Sequence, residues 1–313
     1  MARVLMVDPI HPEALADLRG RYQVALHPRP TPDQLLSYAR TADALVLRAG
    51  VRVTEEVIEA APRLRAVIRA GVGLDNIDLE AAARAGVEVR NVPGGSSDAV
   101  AELALGLMLA VCRRIVVGDR HTRSTVWHKQ GLLGTELRGK TLGLIGFGGI
   151  GSRIATLAQG FGMDVVVAVA RPGEDRAREL AARGIRLASL DGLLPAADVV
   201  CLSVPLTAGT RNLIGRRELA LMRPQAYLVN VSRGGTVDEE ALLEALRRGE
   251  LAGAATDVLA REGAPTALAA LDNVVLTPHI GALTREAQRR IGQRVVELLD
   301  TALAPLERLR LTA

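Results

Sequence analysis

Aromatic residues, cysteines and long apolar runs are all scarce in this chain. Two Phe, one Trp and three Tyr in 313 residues leave the cores to Leu, Val, Ile and Ala, and exclude the aromatic platforms on which nucleic-acid bases stack. Lys and Arg number 39 against 35 Asp and Glu, a formal charge of +4. The arginines are scattered beside acids along helix-like segments, so no basic block marks a nucleic-acid groove. The two cysteines, Cys112 and Cys201, each lie in an apolar run. Neither has a metal-ligand spacing to histidine, and both read as buried thiols; no metal is expected. No apolar run reaches membrane-spanning length unbroken, and Met1–Asp8 lacks a signal-peptide pattern. The reading is a soluble, cytoplasmic protein without membrane or nucleic-acid partners. A mildly positive balance suits a small anionic substrate.

What the chain does have is alternation. Apolar runs at Arg3–Val7, Ala44–Leu47, Leu64–Ile68 and Val87–Val89 read as strands, with helices at His11–Arg19, Pro32–Ala39, Thr54–Ala60 and Leu79–Ala85. Pro93-Gly94-Gly95 breaks this series. Ser97–Val117 follows as one long helix. It is apolar nearly all round at Leu103–Val111, as a buried helix or one facing a second subunit would be. Gly118–Gly139 reads as an irregular polar arm containing Trp127, His128 and Lys129. A second series then gives strands at Thr141–Ile145, Val165–Val169, Val199–Ser203, Tyr227–Val231, Ala254–Val258 and Val274–Leu276, and a closing helix at Thr284–Leu303. Such a βαβα rhythm predicts an α/β fold with parallel sheets and helices on both faces. At 313 residues there is chain enough for two domains.

Thr141–Ile145 runs directly into Gly146-Phe147-Gly148-Gly149-Ile150-Gly151. This G-x-G-x-x-G follows a strand and opens a helix. Gly146 permits the tight turn, Gly148 lets a pyrophosphate approach the backbone, and Gly151 lets helix and strand pack closely. The helix N-terminus presents N–H groups to phosphate. In dinucleotide sites the next strand ends in an acid that binds the ribose 2′-hydroxyl. Here it reads Val169-Ala170-Arg171-Pro172. A missing acid and a following guanidinium suit a 2′-phosphate, so NADP(H) is favoured and NAD(H) remains possible.

Three further residues stand after strand-like runs: Arg233 after Val229–Ser232, Glu262 after Asp257–Arg261, and His279 after Thr277-Pro278. An arginine can fork onto a carboxylate. A histidine beside a carboxylate can move a proton, with the carboxylate orienting the ring and favouring the protonated donor. His11, His27, His121 and His128 have no such partner pattern and read as surface residues.

With these motifs the chain resembles the D-isomer-specific 2-hydroxyacid dehydrogenases, and most closely a phosphoglycerate dehydrogenase-like branch without a C-terminal regulatory domain. The resemblance also rests on Arg69-Ala70-Gly71-Val72-Gly73-Leu74-Asp75-Asn76-Ile77-Asp78, on Gly134–Gly143, on Ala255–Val258, and on Thr277–Gly281 with Glu286-Ala287-Gln288 behind it. It implies two Rossmann-like domains, the cofactor domain inserted into a flavodoxin-like substrate domain. The substrate domain would comprise residues 1–96 and 285–313, and the NAD(P) domain 97–284, with a dimerisation helix and arm at 97–139. A homodimer is implied, and serine feedback through a regulatory domain is not expected.

Matched motif by motif, Arg233 is the substrate arginine, Glu262 the carboxylate partner and His279 the acid/base. Asp257 falls near the nicotinamide. Gly149 and Ile150 match the pyrophosphate pair, Val204 a wall of the cofactor site, Val231 and Ser232 backbone contacts, and Gly281 the cofactor side of the histidine motif. Val72 and Gly73 match a backbone cradle for the substrate carboxylate. Arg48 and Arg69 match positions that hold anionic substrate, while Lys129 could reach a neighbouring subunit's site. The family often has Phe-Glu-x-Glu-Pro after Asp-Val. Here Leu259-Ala260-Arg261-Glu262-Gly263 keeps only the glutamate, at the right spacing.

The implied reaction passes a hydride between a nicotinamide cofactor and a D-2-hydroxyacid/2-oxoacid of glyoxylate/hydroxypyruvate or 3-phosphoglycerate type. Arg171 points to the reductases and Gly134–Gly143 to phosphoglycerate. An alternative is a cofactor-sensing, corepressor-like binding protein of the same fold. Formate-type donors carry Gln in place of the glutamate, so Glu262 argues against them.

Overall fold

The computed structural model describes residues 1–125, 127 and 129–311; His128, read as a surface residue, lies outside them. Two compact units emerge. Met1–Ser96 and Leu283–Ala313 form the first, and the continuous stretch Ser97–Ala282 forms the second. The second is thus an insertion in the chain of the first.

In the first unit, β1 (Arg3–Met6), β2 (Gln23–Leu26), β3 (Ala44–Leu47), β4 (Ala66–Arg69) and β5 (Glu88–Asn91) form a parallel sheet of order β2-β1-β3-β4-β5. Every residue of β3 and β4 is buried. Parallel strands covered on both faces need continuous apolar runs, which is why the sequence displays these two. The edge strand β2 alternates exposed and half-buried residues, so no apolar run announces it. Thr31 and Gln34 form a capping box for the helix Pro32–Ala39. Asp78 caps Leu79–Arg84 by accepting the Ala81 N–H at 2.9 Å. The helix Arg285–Leu311 packs on Pro12–Arg21 and β4 and extends past the expected end at Leu303. Strand order reverses between β1 and β3, and in such sheets the crevice at that reversal takes the ligand.

In the second unit, β6 (Thr141–Ile145), β7 (Asp164–Ala168), β8 (Arg186–Leu187), β9 (Val199–Leu202), β10 (Tyr227–Asn230), β11 (Gly253–Thr256) and β12 (Val274–Leu276) are also parallel, in the order β12-β11-β10-β9-β6-β7-β8. This is a doubly wound sheet that reverses between β6 and β9. Successive residues of β7 feed opposite cores: Val165 and Val167 join one apolar cluster, Val166 and Ala168 the other. The two-residue β8 is too short to leave a strand pattern in the sequence.

The long helix expected at Ser97–Val117 is two helices, Ser97–Cys112 and Ile115–Arg123. The chain turns at Arg114, which has a left-handed φ of 52°, a conformation that glycine or asparagine would have announced in the sequence. The start of the expected irregular arm is therefore helical. Leu105, Leu107, Met108 and Val111 are buried in the unit's own core. Leu103, Leu109 and Ala110 on the same helix pack against that core while staying half-buried.

Candidate active site

The loop after β6 is shaped by close approach. Gly146 has φ 94°, and a Cβ there would lie 2.7 Å from the Ser203 carbonyl oxygen and 2.8 Å from Val204 Cγ1. A Cβ on Gly151 would lie 2.4 Å from the Gly146 carbonyl oxygen. Gly148 is different, because nothing stands within 4 Å of a Cβ built on it. Open space over the Gly148 backbone thus adjoins the N-terminus of the helix Gly149–Gly160, whose N-cap residue, Gly148 itself, supplies no side-chain cap. Its unsatisfied N–H groups and positive dipole end make an anion site. Gly148, Gly149, Ile150 and Gly151 therefore fit a pyrophosphate, and Val204 flanks the turn. Sequence reasoning missed Arg183. Its guanidinium lies 5.0 Å from the centre of the Phe147 ring and bonds the Ser152 hydroxyl at 2.9 Å, bracing the loop and its helix. Beyond β7, Val169 is half-buried and Arg171 is exposed. Among the described residues Arg171 has no carboxylate partner.

The three residues expected to carry chemistry, Arg233, Glu262 and His279, all lie in this same unit. Arg233 follows β10 and is half-buried, and its Nη1 donates to the Ser232 carbonyl at 2.8 Å. Its own carbonyl accepts from Asn230 Nδ2 at 3.0 Å and from the Thr236 hydroxyl at 2.6 Å. Asn230, Ser232 and Thr236 are all buried, and the Ser232 hydroxyl donates to Asn230 Oδ1 at 2.6 Å. A closed polar network therefore sets the arginine's backbone, and Val231 is buried beside it. Asn230 lies inside the Val229–Gly235 motif and Thr236 just beyond it, but the sequence assigned neither a role.

His279 and Glu262 meet, Nδ1 to Oε1, at 2.6 Å, with the histidine side chain 27% and the glutamate 48% exposed. Because Nδ1 is engaged, Nε2 is the nitrogen left for a substrate oxygen. Asp257 is buried to 2% exposure. Its Oδ1 accepts from the Thr277 hydroxyl at 2.7 Å and the Ile280 N–H at 2.8 Å, and its Oδ2 from the Gly281 N–H at 2.8 Å. These bonds belong to the histidine loop, so the structure gives Asp257 and Gly281 a role in holding His279.

Arg48, Arg69, Val72 and Gly73 belong to the first unit. Arg48 follows β3 at the strand-order reversal. Its N–H donates to Asp8 Oδ2 at 2.7 Å and its Nη1 to Gln288 Oε1 at 2.8 Å. Burial lowers the Arg48 pKa from its ordinary value, and the charge of Asp8 opposes that shift. The Asn76 amide holds the carbonyls of Arg48 and Val51 at 2.8 and 2.6 Å, which accounts for the asparagine in the Asp-Asn-Ile-Asp motif. Arg69 ends β4 at 9% exposure, Val72 is exposed and Gly73 half-buried.

Residues 105–281 match the family model described as D-isomer specific 2-hydroxyacid dehydrogenase, NAD binding domain. A D-3-phosphoglycerate dehydrogenase of Methanocaldococcus jannaschii is 42% identical over 308 residues, which cover 97% of this chain and 58% of that protein. The chain thus spans little more than half the length of that relative. A hydroxypyruvate reductase of Thermotoga maritima is 42% identical over 301 residues, 94% of this chain and 96% of that one. Among solved structures, one from Thermus thermophilus superposes with a TM-score of 0.89 at 40% identity, covering 97% of each chain.

Proposed function

Because the chain belongs to the D-isomer specific 2-hydroxyacid dehydrogenase family, we propose that it reduces small 2-oxoacids of the glyoxylate/hydroxypyruvate type to D-2-hydroxyacids, reversibly and with NADPH preferred. One observation carries the chemistry. The His279–Glu262 pair, bonded at 2.6 Å, lies in the same unit as a dinucleotide-type glycine loop.

When bound, the nicotinamide cofactor supplies or accepts the hydride. The chain's own residues bind, orient and move the proton. Gly148, Gly149, Ile150 and Gly151 receive the pyrophosphate, with Val204 as a wall and Val231 and Ser232 near the nicotinamide. Arg233 holds the substrate's carboxylate and stabilises charge developing on its carbonyl oxygen. His279 delivers a proton to that oxygen from Nε2, or removes it in the oxidative direction. Glu262 keeps the ring oriented through Nδ1. Arg48, Arg69, Val72 and Gly73 take the role of substrate contacts on the strength of their motifs. The exposed Arg171, without a carboxylate partner among the described residues, supports NADPH, since no carboxylate at the end of β7 would repel a 2′-phosphate. A homodimer finds support in the exposure of Ile115, Val116, Trp127 and Leu133, all within one segment. We place the protein in the cytoplasm.

The deciding experiment is a panel of glyoxylate, hydroxypyruvate, pyruvate and phosphohydroxypyruvate, each with NADPH and NADH. The proposal expects the highest kcat/KM for glyoxylate or hydroxypyruvate with NADPH. It also expects Arg171→Ala to raise the KM for NADPH about tenfold, the worth of one charge-assisted contact, while leaving NADH nearly unchanged. Best turnover of phosphohydroxypyruvate moves the substrate to the phosphoglycerate type. A clear NADH preference removes the cofactor assignment.

A further inference from the structure

We propose that Glu239 is a positioning residue for proton transfer: it fixes the loop that presents the Glu262 carboxylate to His279. The proposal rests on the reading of Glu262 and His279 as the proton relay.

Glu239 is the first residue of the helix Glu239–Arg247, directly after the capping Asp238. Its Oε1 accepts the backbone N–H of Ala260 at 2.5 Å. Two residues further along the same loop, Glu262 Oε1 bonds His279 Nδ1. Burial does not restrain this stretch, because Ala260, Arg261, Glu262 and Gly263 are all exposed. A second close approach comes from Gly234, where a Cβ would fall 2.1 Å from the Leu259 carbonyl carbon and 2.4 Å from the Ala260 nitrogen. The hydrogen bond from Glu239 and the approach of Gly234 thus act on one peptide, Leu259–Ala260. That peptide is tied at once to the arginine loop through Gly234, the neighbour of Arg233, and to the helix through Glu239. A shift of the peptide moves the Glu262 carboxylate away from the imidazole.

The competing structural role is a generic one, since an acid in the first turn favours any helix. Glu240 supplies the control. It occupies the same first turn and is exposed, and among the described residues its side chain bonds nothing in the loop.

The test compares Glu239→Ala, Glu239→Gln, Glu240→Ala and Glu262→Gln in the full chain. The readouts are kcat, KM for oxoacid and cofactor, thermal midpoint, and the hydrogen-bonded Nδ1–H proton resonance of His279 in histidine-labelled protein. Glu239→Ala is expected to lower kcat about tenfold, a part of the roughly 10²–10⁴-fold that acid–base catalysis provides. It leaves the cofactor KM and the midpoint close to those of Glu240→Ala and weakens the Nδ1–H resonance. Glu239→Gln keeps a carbonyl acceptor for Ala260 and restores both. Wild-type kcat and an intact resonance in Glu239→Ala overturn the proposal, as does an equal loss in Glu240→Ala. If Glu262→Gln itself leaves kcat and the resonance untouched, the relay reading fails, and that result is separate from anything Glu239 does.

Discussion

Asp257 holds His279 in a left-handed turn. The histidine has φ 54°, its N–H donates to the Asp257 carbonyl at 2.8 Å, and the Asp257 carboxylate accepts the next two backbone N–H groups along the loop. A left-handed backbone costs a non-glycine residue roughly 1–2 kcal/mol, and these bonds offset it. Asp257→Asn replaces one acceptor oxygen with an amide that faces N–H donors. Leaving such a buried donor unsatisfied costs about 1–3 kcal/mol. Thermal midpoint and kcat are both expected to fall. A variant as stable as wild type with an undiminished kcat contradicts the clamp.

His279→Ala separates chemistry from binding. The imidazole touches Glu262, whereas the Asp257 carboxylate grips backbone N–H groups of the loop and not the ring, so removing the ring should leave the loop in place. The expectation is a fall in kcat of roughly 10²–10⁴-fold with cofactor affinity, read by fluorescence titration, within about twofold of wild type. Near-normal turnover rules out His279 as the acid.

The glycine loop makes opposite predictions at two positions. Gly148 has open space where a Cβ would go, while a Cβ on Gly151 would meet the Gly146 carbonyl oxygen at 2.4 Å. Gly148→Val should leave the cofactor-free thermal midpoint nearly unchanged and weaken cofactor binding at least about tenfold, the side chain standing where a phosphate approaches. Gly151→Val should lower the midpoint itself, because overpacking costs about 1–3 kcal/mol. The same midpoint in both variants would falsify this division of labour.

Stability at alkaline pH should report the two thiols. Burial pushes Cys112 and Cys201 up to about 12, whereas an unfolded thiol titrates near about 8.5. Above that pH the unfolded chain releases protons that the folded one retains. The thiol contribution is therefore complete below about pH 8.5 and is lost as pH rises toward the folded value, at about 1.4 kcal/mol per unit for each thiol. Urea unfolding of Cys201→Ala between pH 8 and 10 should show a shallower decline than wild type. Parallel declines refute the linkage.

How legible each part is depends on the range of the contacts that define it. The strands with continuous apolar runs, such as Ala44–Leu47 and Val199–Leu202, declare themselves because both faces are covered. The glycine loop, Arg233, Glu262 and His279 are readable for a related reason: each sits in a short motif at the end of such a run. The edge strand Gln23–Leu26 escapes notice because half its residues face water. The break at Arg114 escapes because no glycine or proline marks it. Gln288 stands out only as a motif residue, and Asp8 not at all, although both bind Arg48; their meaning lies about 240 and 40 residues away along the chain and has no local spacing.

By itself the sequence determined the alternating α/β pattern and singled out the glycine turn and the candidate residues Arg233, Glu262 and His279, because hydrophobic period and motif spacing are properties of neighbouring residues. Tertiary structure alone decided what those residues lean on. Asp257 became a clamp on the histidine loop, Asn230 and Thr236 became the seat of Arg233, and Glu239 became the anchor of the Glu262 loop. The Asp257 and Glu239 roles are hydrogen bonds between groups 23 and 21 residues apart that only the fold brings within about 3 Å, while Asn230 and Thr236 reach the Arg233 carbonyl from three residues on either side, through a turn that leaves no period in the chain to be read.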